Sequence, residues 1–325
     1  MKVVLVGLGR MGQNHRRVLQ TMHGVELVAV VDPAADALEL EGVPVLDNVS
    51  ALRDERFGHF DAAIVATPTA SHAEVVYPLI SMRKDVLVEK PIAASSKAAQ
   101  ALIQHARCNA VWLAVGHVER FNPVVKAMSR VLDEGCIGRP IHISFTRVGG
   151  YPGAVLDGNN VILDLAVHDI DICRKILGPM AVTHAFGHAA TREGVLDTAE
   201  ISLRSKGGVT ASIHVNWVTP TKIRTVRITG TEGVCFVDYI LQTCTVVRGG
   251  IAKVSGFEAV RESYEHPSTV VVPVHSGEPL KAELEQFKRL VDDGEWGDLC
   301  SGPVALATVE LAEQAVAISN TWWYR

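Results

Sequence analysis

Nothing in this sequence is built to cross a membrane. Its 325 residues hold no run of about 18 or more apolar residues. The apolar stretch after Lys2 mimics a secretory leader, but it is broken at Arg10 and no small-residue cleavage site follows. The six cysteines are scattered and form no CxxC pair. That speaks against a disulfide framework or a local zinc motif, and for the reduced, partly buried thiols of a cytoplasmic protein. Charge of one sign is not in excess either: the formal net charge is −5, which argues against a general affinity for nucleic acid. Heptads, low-complexity tracts and internal repeats are missing as well. What is present is a hydrophobic content of 48%, the mark of a globular chain. The length suits two domains with a substantial core.

The most informative stretch runs from Val3 to Asp32. Val3-Val4-Leu5-Val6 reads as a strand, Gly7-Leu8-Gly9-Arg10-Met11-Gly12 as a glycine turn, and the residues through Leu19 as a helix. A second apolar run, Leu27–Val31, ends on Asp32. Gly7 allows the tight turn, Gly9 lets a pyrophosphate approach the backbone, and Gly12 lets helix and strand pack closely. The helix N-terminus offers amides and a positive dipole end to the phosphates. A carboxylate at Asp32 can accept from an adenosine ribose. It repels a 2′-phosphate, and Pro33-Ala34-Ala35 supplies no arginine to hold one. The expectation is therefore NAD rather than NADP, with Arg10 and Met11 beside the cofactor, where Arg10 can still reach a phosphate or stack on adenine.

Apolar runs at 43–46, 61–66, 85–88 and 111–115 alternate with helical stretches, two capped by Asn48 and Ser95 and one started by Ser71 or a neighbour. Strands alternating with helices predict a parallel, doubly wound sheet, a Rossmann domain over residues 1–117. Ligands bind beyond the carboxyl ends of such strands. Here those ends carry Gly7, Asp32, Thr67, Glu89, Lys90 and His117. Thr67, Pro68, His72, Glu89 and Lys90 join the cofactor-binding candidates, although Thr67 reads equally well as a turn residue. After His117 the pattern changes. A helix opens at Asn122-Pro123, another covers 161–177 with Asn160 as its cap, and two more cover 279–292 and 303–319. Between them, alternating runs at 181–189, 199–204, 209–216, 223–229, 234–238 and 243–248 predict a mostly antiparallel sheet. Residues 118–325 thus read as an α+β domain.

Lys90 ends the fifth strand, where an ammonium can stabilise charge on a substrate oxygen; its plainer role is an ion pair with Glu89 or a phosphate. Asp164 and His168 lie four apart on one helix face, and an imidazole suits removal of a hydroxyl proton. The rival reading is a surface acid–histidine pair, complicated by Asp169 and Asp171. A metal site built from Asp164, His168 and His117 is the weakest reading, and no metal is expected. His117, Arg120, Asn122, Tyr151, Lys222 and Arg224 are the substrate-binding candidates. Arg120 serves equally well as a structural tie, and Trp217 reads as core.

The glycine motif, the Glu89-Lys90-Pro91 triplet and the Asp164…His168 pair together resemble the family of glucose–fructose oxidoreductase, inositol dehydrogenase and the rhizopine-catabolism dehydrogenases (Gfo/Idh/MocA). The likeness covers essentially the whole chain. It implies NAD(P)-dependent oxidation of a sugar or cyclitol hydroxyl, with Lys90 and His168 as the catalytic pair and Asp164 beside them. It also implies a homodimer or homotetramer formed through the large open sheet. A finer similarity runs through Gly116–Pro123, Asp164–Asp171 and Thr221–Arg224, and points to UDP-N-acetylglucosamine 3-dehydrogenases, which make a 3-keto nucleotide sugar. Asn159-Asn160 stand where many members carry Gly-Gly. A reading of another class, a non-catalytic dinucleotide-binding regulator, is disfavoured by the joint presence of Lys90, Asp164 and His168.

Overall fold

The computed structural model describes residues 1–35, 40, 42–54, 56–57, 59–150, 160–191, 193–249 and 268–320. The chain forms two compact units: Met1–Phe121 with Glu278–Glu310, and Asn122–Gly277 with Leu311–Arg325.

The first unit holds strands β1 (Lys2–Val6), β2 (Glu26–Val31), β3 (Val45–Leu46), β4 (Ala62–Val65), β5 (Asp85–Glu89), β6 (Leu113–Gly116) and the two-residue β15 (Cys300–Ser301). Their order is β15-β6-β5-β4-β1-β2-β3. All neighbours pair in parallel except β15 with β6. The chain winds outward on one side through β2 and β3 and on the other through β4 to β6. The switch in direction falls between β1 and β4, where such sheets bind ligands. Val3–Val6 and Ala62–Val65 are buried along their whole length, which is why they read as continuous apolar runs rather than alternating ones.

Helices α1 (Arg10–Leu19), α2 (His72–Ser81) and α3 (Ser96–Asn109) connect the strands. Ser95 caps α3, its side chain accepting from Ala98 N at 3.2 Å. Asn48 accepts from Ala51 N at 3.1 Å, but the element it opens is a 3-10 turn, Val49–Arg53. Ser71 does not cap α2; its hydroxyl donates back to Pro68 O at 2.8 Å.

The boundary after residue 117 holds only to Phe121, and a division of the chain there misplaces a later segment. Helix α6 (Pro279–Asp293) belongs to the first unit. Its stripe Leu280, Leu284, Phe287 and Leu290 packs in one core with Val3, Leu5, Leu19 and Ile64. An amphipathic stripe shows that a helix is covered, but not by which sheet, so the return of the chain was invisible in sequence.

The second unit carries β7 (Pro140–Val148), β8 (Met180–His188), β9 (Thr198–Ser205), β10 (Thr210–Asn216), β11 (Ile223–Gly230), β12 (Gly233–Asp238), β13 (Thr243–Arg248) and β14 (Ser268–Val272). The order is β14-β13-β12-β11-β7-β10-β9-β8. Only β7 and β10 run parallel. Helix α4 (Pro123–Asp133) lies against β12 and β13, and α5 (Val167–Leu177) against β8 and β10. Phe145, Ile213, Val226 and Ile228 meet Val125, Met128 and Ile170 in the core.

The alternate residues of these strands include Ser144, Thr146, Ser212 and Thr225, with Phe186 (50% exposed) and Phe236 (45% exposed). Hydroxyls are frequent on this face, because β-branched threonine satisfies a pleated strand without apolar surface. The long helix α7 (Gly302–Asn320) closes the described chain, its residues divided between the units at Glu310. All six cysteines are free thiols. Burial, with the Asp169 charge behind it, pushes the Cys173 thiol up to about 12. No described helix is long and apolar enough to cross a membrane.

Candidate active site

The glycine turn has the geometry its spacing predicts. Gly7 has φ +91°, and a Cβ there would stand 2.8 Å from Ala66 O. A Cβ on Gly12 would fall 2.0 Å from Gly7 O, so only glycine lets α1 sit this close to the turn. At Gly9 a Cβ would meet nothing within 4 Å; the backbone there is open to an approaching group. Gly9 is also the N-cap of α1 and supplies no side-chain hydrogen bond. The amides at the helix start are thus left for an anion, and the residues fit a pyrophosphate. Arg10 is exposed and Met11 half-buried beside them.

Asp32 follows β2 and organises this turn. Its Oδ2 accepts from Leu8 N at 2.7 Å and its Oδ1 from Ala34 N at 2.9 Å. Each carboxylate oxygen keeps a lone pair for a ribose hydroxyl.

At the end of β4, Thr67 is partly buried, and its Oγ1 finds no hydrogen-bond partner among the described residues. A buried hydroxyl in this state, beside Gly7, is a ready contact for a ligand. Pro68 is exposed. His72, expected at the cofactor, is instead 1% exposed. Its Nδ1 lies 2.9 Å from Pro91 O and its Nε2 3.0 Å from Thr67 O. It ties the loop after β4 to the loop after β5. Burial lowers its pKa, and the carbonyls resist that only in part. Glu89 and Lys90 end β5, with a cis peptide between Lys90 and Pro91. Lys90 is half-buried, and its amide donates to Glu89 Oε2 at 3.2 Å.

In the second unit, Asn160 caps the helical segment: its Oδ1 accepts from Ile162 N and Leu163 N, both at 3.0 Å. The first turn, Ile162–Ala166, is π-helical, and α5 follows from Val167. A π-turn is wider than an α-turn, which brings positions four apart closer to one line along the helix. Asp164 and His168 are such a pair, and both are half-buried. Trp217, which reads as core in the sequence, is 2% exposed and donates its indole N–H to Asp164 Oδ2 at 3.1 Å. Asp169 is not a rival for the chemistry. It receives Arg147 Nε and Nη2 at 2.9 to 3.1 Å, a buried pair that fixes α5 to β7.

The remaining candidates divide by surroundings. His117 is 2% exposed after β6. Arg120 is 9% exposed and donates to Asp298 O and Leu299 O, both at 3.4 Å and both within the first unit. Asn122 is buried; it caps α4 by accepting from Val124 N at 3.3 Å and donates to Tyr239 O at 3.2 Å, so its amide serves the fold. Arg224 donates to Val148 O, to Ile223 O at 2.8 Å and to Gly149 O at 3.0 Å. Lys222 is exposed next to Gly150. Tyr151 and Asn159 lie outside the described residues.

Residues 1–117 match the family model described as an oxidoreductase family with an NAD-binding Rossmann fold. Residues 125–235 match the Gfo/Idh/MocA C-terminal domain. An inositol 2-dehydrogenase from Saccharopolyspora erythraea is 35% identical, over 66% of each chain. A UDP-N-acetylglucosamine 3-dehydrogenase from Acidithiobacillus ferrooxidans is 25% identical over 88% of this chain and 87% of its own. A solved structure of a dehydrogenase with that name and source superposes with a TM-score of 0.84 at 24% identity, covering 100% of this chain and 99% of the other.

Proposed function

Since the chain belongs to the Gfo/Idh/MocA family of NAD-binding oxidoreductases, we propose that it oxidises a secondary ring hydroxyl of a sugar, with the C3 hydroxyl of UDP-N-acetylglucosamine as the first substrate to test. The observation that carries the reading is the placement of Asp164 and His168 four residues apart where the π-helical turn runs into α5, with Lys90 just after β5. His168 takes the hydroxyl proton. Lys90 holds the same oxygen and steadies its developing charge. Asp164 orients the substrate and the imidazole. NAD, held at the glycine turn by the α1 amides and Asp32, would supply the hydride acceptor for the carbinol carbon. The alcohol thus loses one proton and one hydride and becomes a ketone.

A second reading, a cyclitol hydroxyl, is favoured by the 35% identity to an inositol 2-dehydrogenase. Absorbance of reduced nicotinamide, followed with the nucleotide sugar and with a panel of inositols, separates the two. A 3-keto product from UDP-N-acetylglucosamine supports the first reading. Turnover confined to inositols replaces it with the second.

The exposed Phe186 and Phe236 on the second unit's sheet support assembly of two or four copies through that face. A monomeric mass by light scattering at micromolar concentration would remove this part of the reading.

A further inference from the structure

His15 and Glu283, both fully buried, and the partly buried Glu89 are polar groups of the first unit whose side chains the proposed chemistry does not use. His15 lies on the packed face of α1 with no exposure. Its Nε2 is 2.8 Å from Glu89 Oε1. The other carboxylate oxygen of Glu89 accepts from the Lys90 amide at 3.2 Å. A Cβ on Gly116 of β6 would come within 3.3 Å of this carboxylate, so β6 walls its third side. The Glu89 side chain is 11% exposed. Burial pushes its carboxyl up, but the His15 hydrogen bond and charge, then the Lys90 charge and amide, outweigh this and hold it below the usual range.

Glu283 on α6 is fully buried, and neither of its oxygens has a hydrogen-bond partner among the described residues. Burial first, and then the charge on Glu89, raise its carboxyl well above the usual range, with Arg120 opposing. Burial thus disfavours the charged form of Glu283, whereas the contacts of Glu89, directed at α1 and at Lys90, favour its charged form.

A pair that served only stability would not need this placement. Helix α1 begins at the glycine turn that fits the pyrophosphate, and Glu89 immediately precedes the residue read as holding the reacting oxygen. We propose that His15 and Glu89 are a positioning pair that keeps the phosphate-binding helix and Lys90 in register, so that nicotinamide and substrate oxygen meet correctly. The proposal rests on the dehydrogenase reading with Lys90 at the oxygen.

The test compares His15→Leu, Glu89→Gln and His15→Gln in the full chain. Turnover, NAD affinity by titration, thermal melting and the emission of bound NADH are measured for each. A displacement of about 1 Å at a reacting group can cost on the order of a hundredfold. His15→Leu and Glu89→Gln should lower kcat by about that factor while NAD affinity stays within about threefold. His15→Gln keeps an N–H donor and should recover most of the loss. Turnover of both disruptive variants within about threefold of wild type overturns the proposal. So does a loss that lies wholly in NAD affinity, or one that follows melting temperature without rescue by glutamine. If the wild-type protein oxidises none of the sugars or cyclitols, the substrate reading fails separately. The pair is then judged on bound NADH alone: His15→Leu should alter its emission and His15→Gln should not, and an unchanged spectrum in both overturns it.

Discussion

Trp217 donates its indole N–H to Asp164 Oδ2 across 3.1 Å. The tryptophan follows β10, is 2% exposed, and is held by its own amide, which donates to Asp197 O at 2.9 Å. It is therefore a rigid donor. Asp164 sits on the π-helical turn before α5. The bond fixes one of its carboxylate oxygens.

Trp217→Phe keeps the ring and removes the donor. A hydrogen bond to a charged acceptor contributes about 1.5 to 3 kcal/mol. If half of that is expressed in the transition state, kcat should fall by about three- to tenfold. Steady-state kinetics beside a thermal melt checks this. A variant that melts lower but turns over at the wild-type rate would assign Trp217 to packing alone.

His168→Ala and Lys90→Ala should each lower kcat by about a hundred- to ten-thousandfold, the usual loss for a general base or a charge-stabilising group. NAD affinity should remain nearly unchanged. Wild-type turnover in both variants on a confirmed substrate would refute the roles of His168 as base and Lys90 as oxygen holder. Retention by His168→Ala alone would move the base to another residue, with His117 the next to test.

Most of the strands and helices were legible because their burial is periodic. Ala62–Val65 announces a doubly covered strand, and the alternation in Thr198–Ser205 announces a half-covered one. The glycine spacing and Asp32 were legible because each residue answers a backbone requirement at a fixed offset. Partners across the fold were not. His15 sits on the buried face of α1 with Gly12, Val18 and Leu19. Glu283 occupies a core position in the stripe Leu280, Leu284, Phe287, Leu290. A polar residue on an apolar stripe was the one signal available for both, and it says that a partner or a proton is needed without saying which. For His72 and Asn122 the residue type suggested a ligand, and the structure supplies backbone carbonyls and a helix cap instead.

Asp32→Ala should weaken NAD binding and narrow its advantage over NADP. The carboxylate serves two ends: it accepts from Leu8 N and Ala34 N, and it repels a 2′-phosphate. Removing it loosens the glycine turn for both cofactors but relieves repulsion only for NADP. Isothermal titration with both cofactors should show the NAD constant worsening by about tenfold or more, and the NADP constant by less. Wild-type protein that binds NADP as tightly as NAD would refute the preference itself.

Glu283→Gln should make the protein more stable at neutral and alkaline pH. The folded-state carboxyl of Glu283 lies well above its ordinary value of 4.5, through burial and the neighbouring Glu89 charge. The unfolded chain has no such constraint. Between the two values the folded state holds a proton that the unfolded state has released, so wild-type stability falls as pH rises through that window. Below the unfolded value both states are protonated and the penalty is absent. Glutamine has nearly the same shape and no proton to lose. Melting temperatures of the two proteins should therefore converge near pH 4.5 and separate progressively as pH rises above it, with the variant higher. Glu89 works in the opposite sense, because its depressed value contributes stability that is lost as pH falls. That contribution is common to both proteins and largely cancels in the difference. A difference that stays flat with pH would mean that Glu283 is not held neutral. A variant that loses ground as pH rises would mean that its carboxylate is charged and paired in the fold.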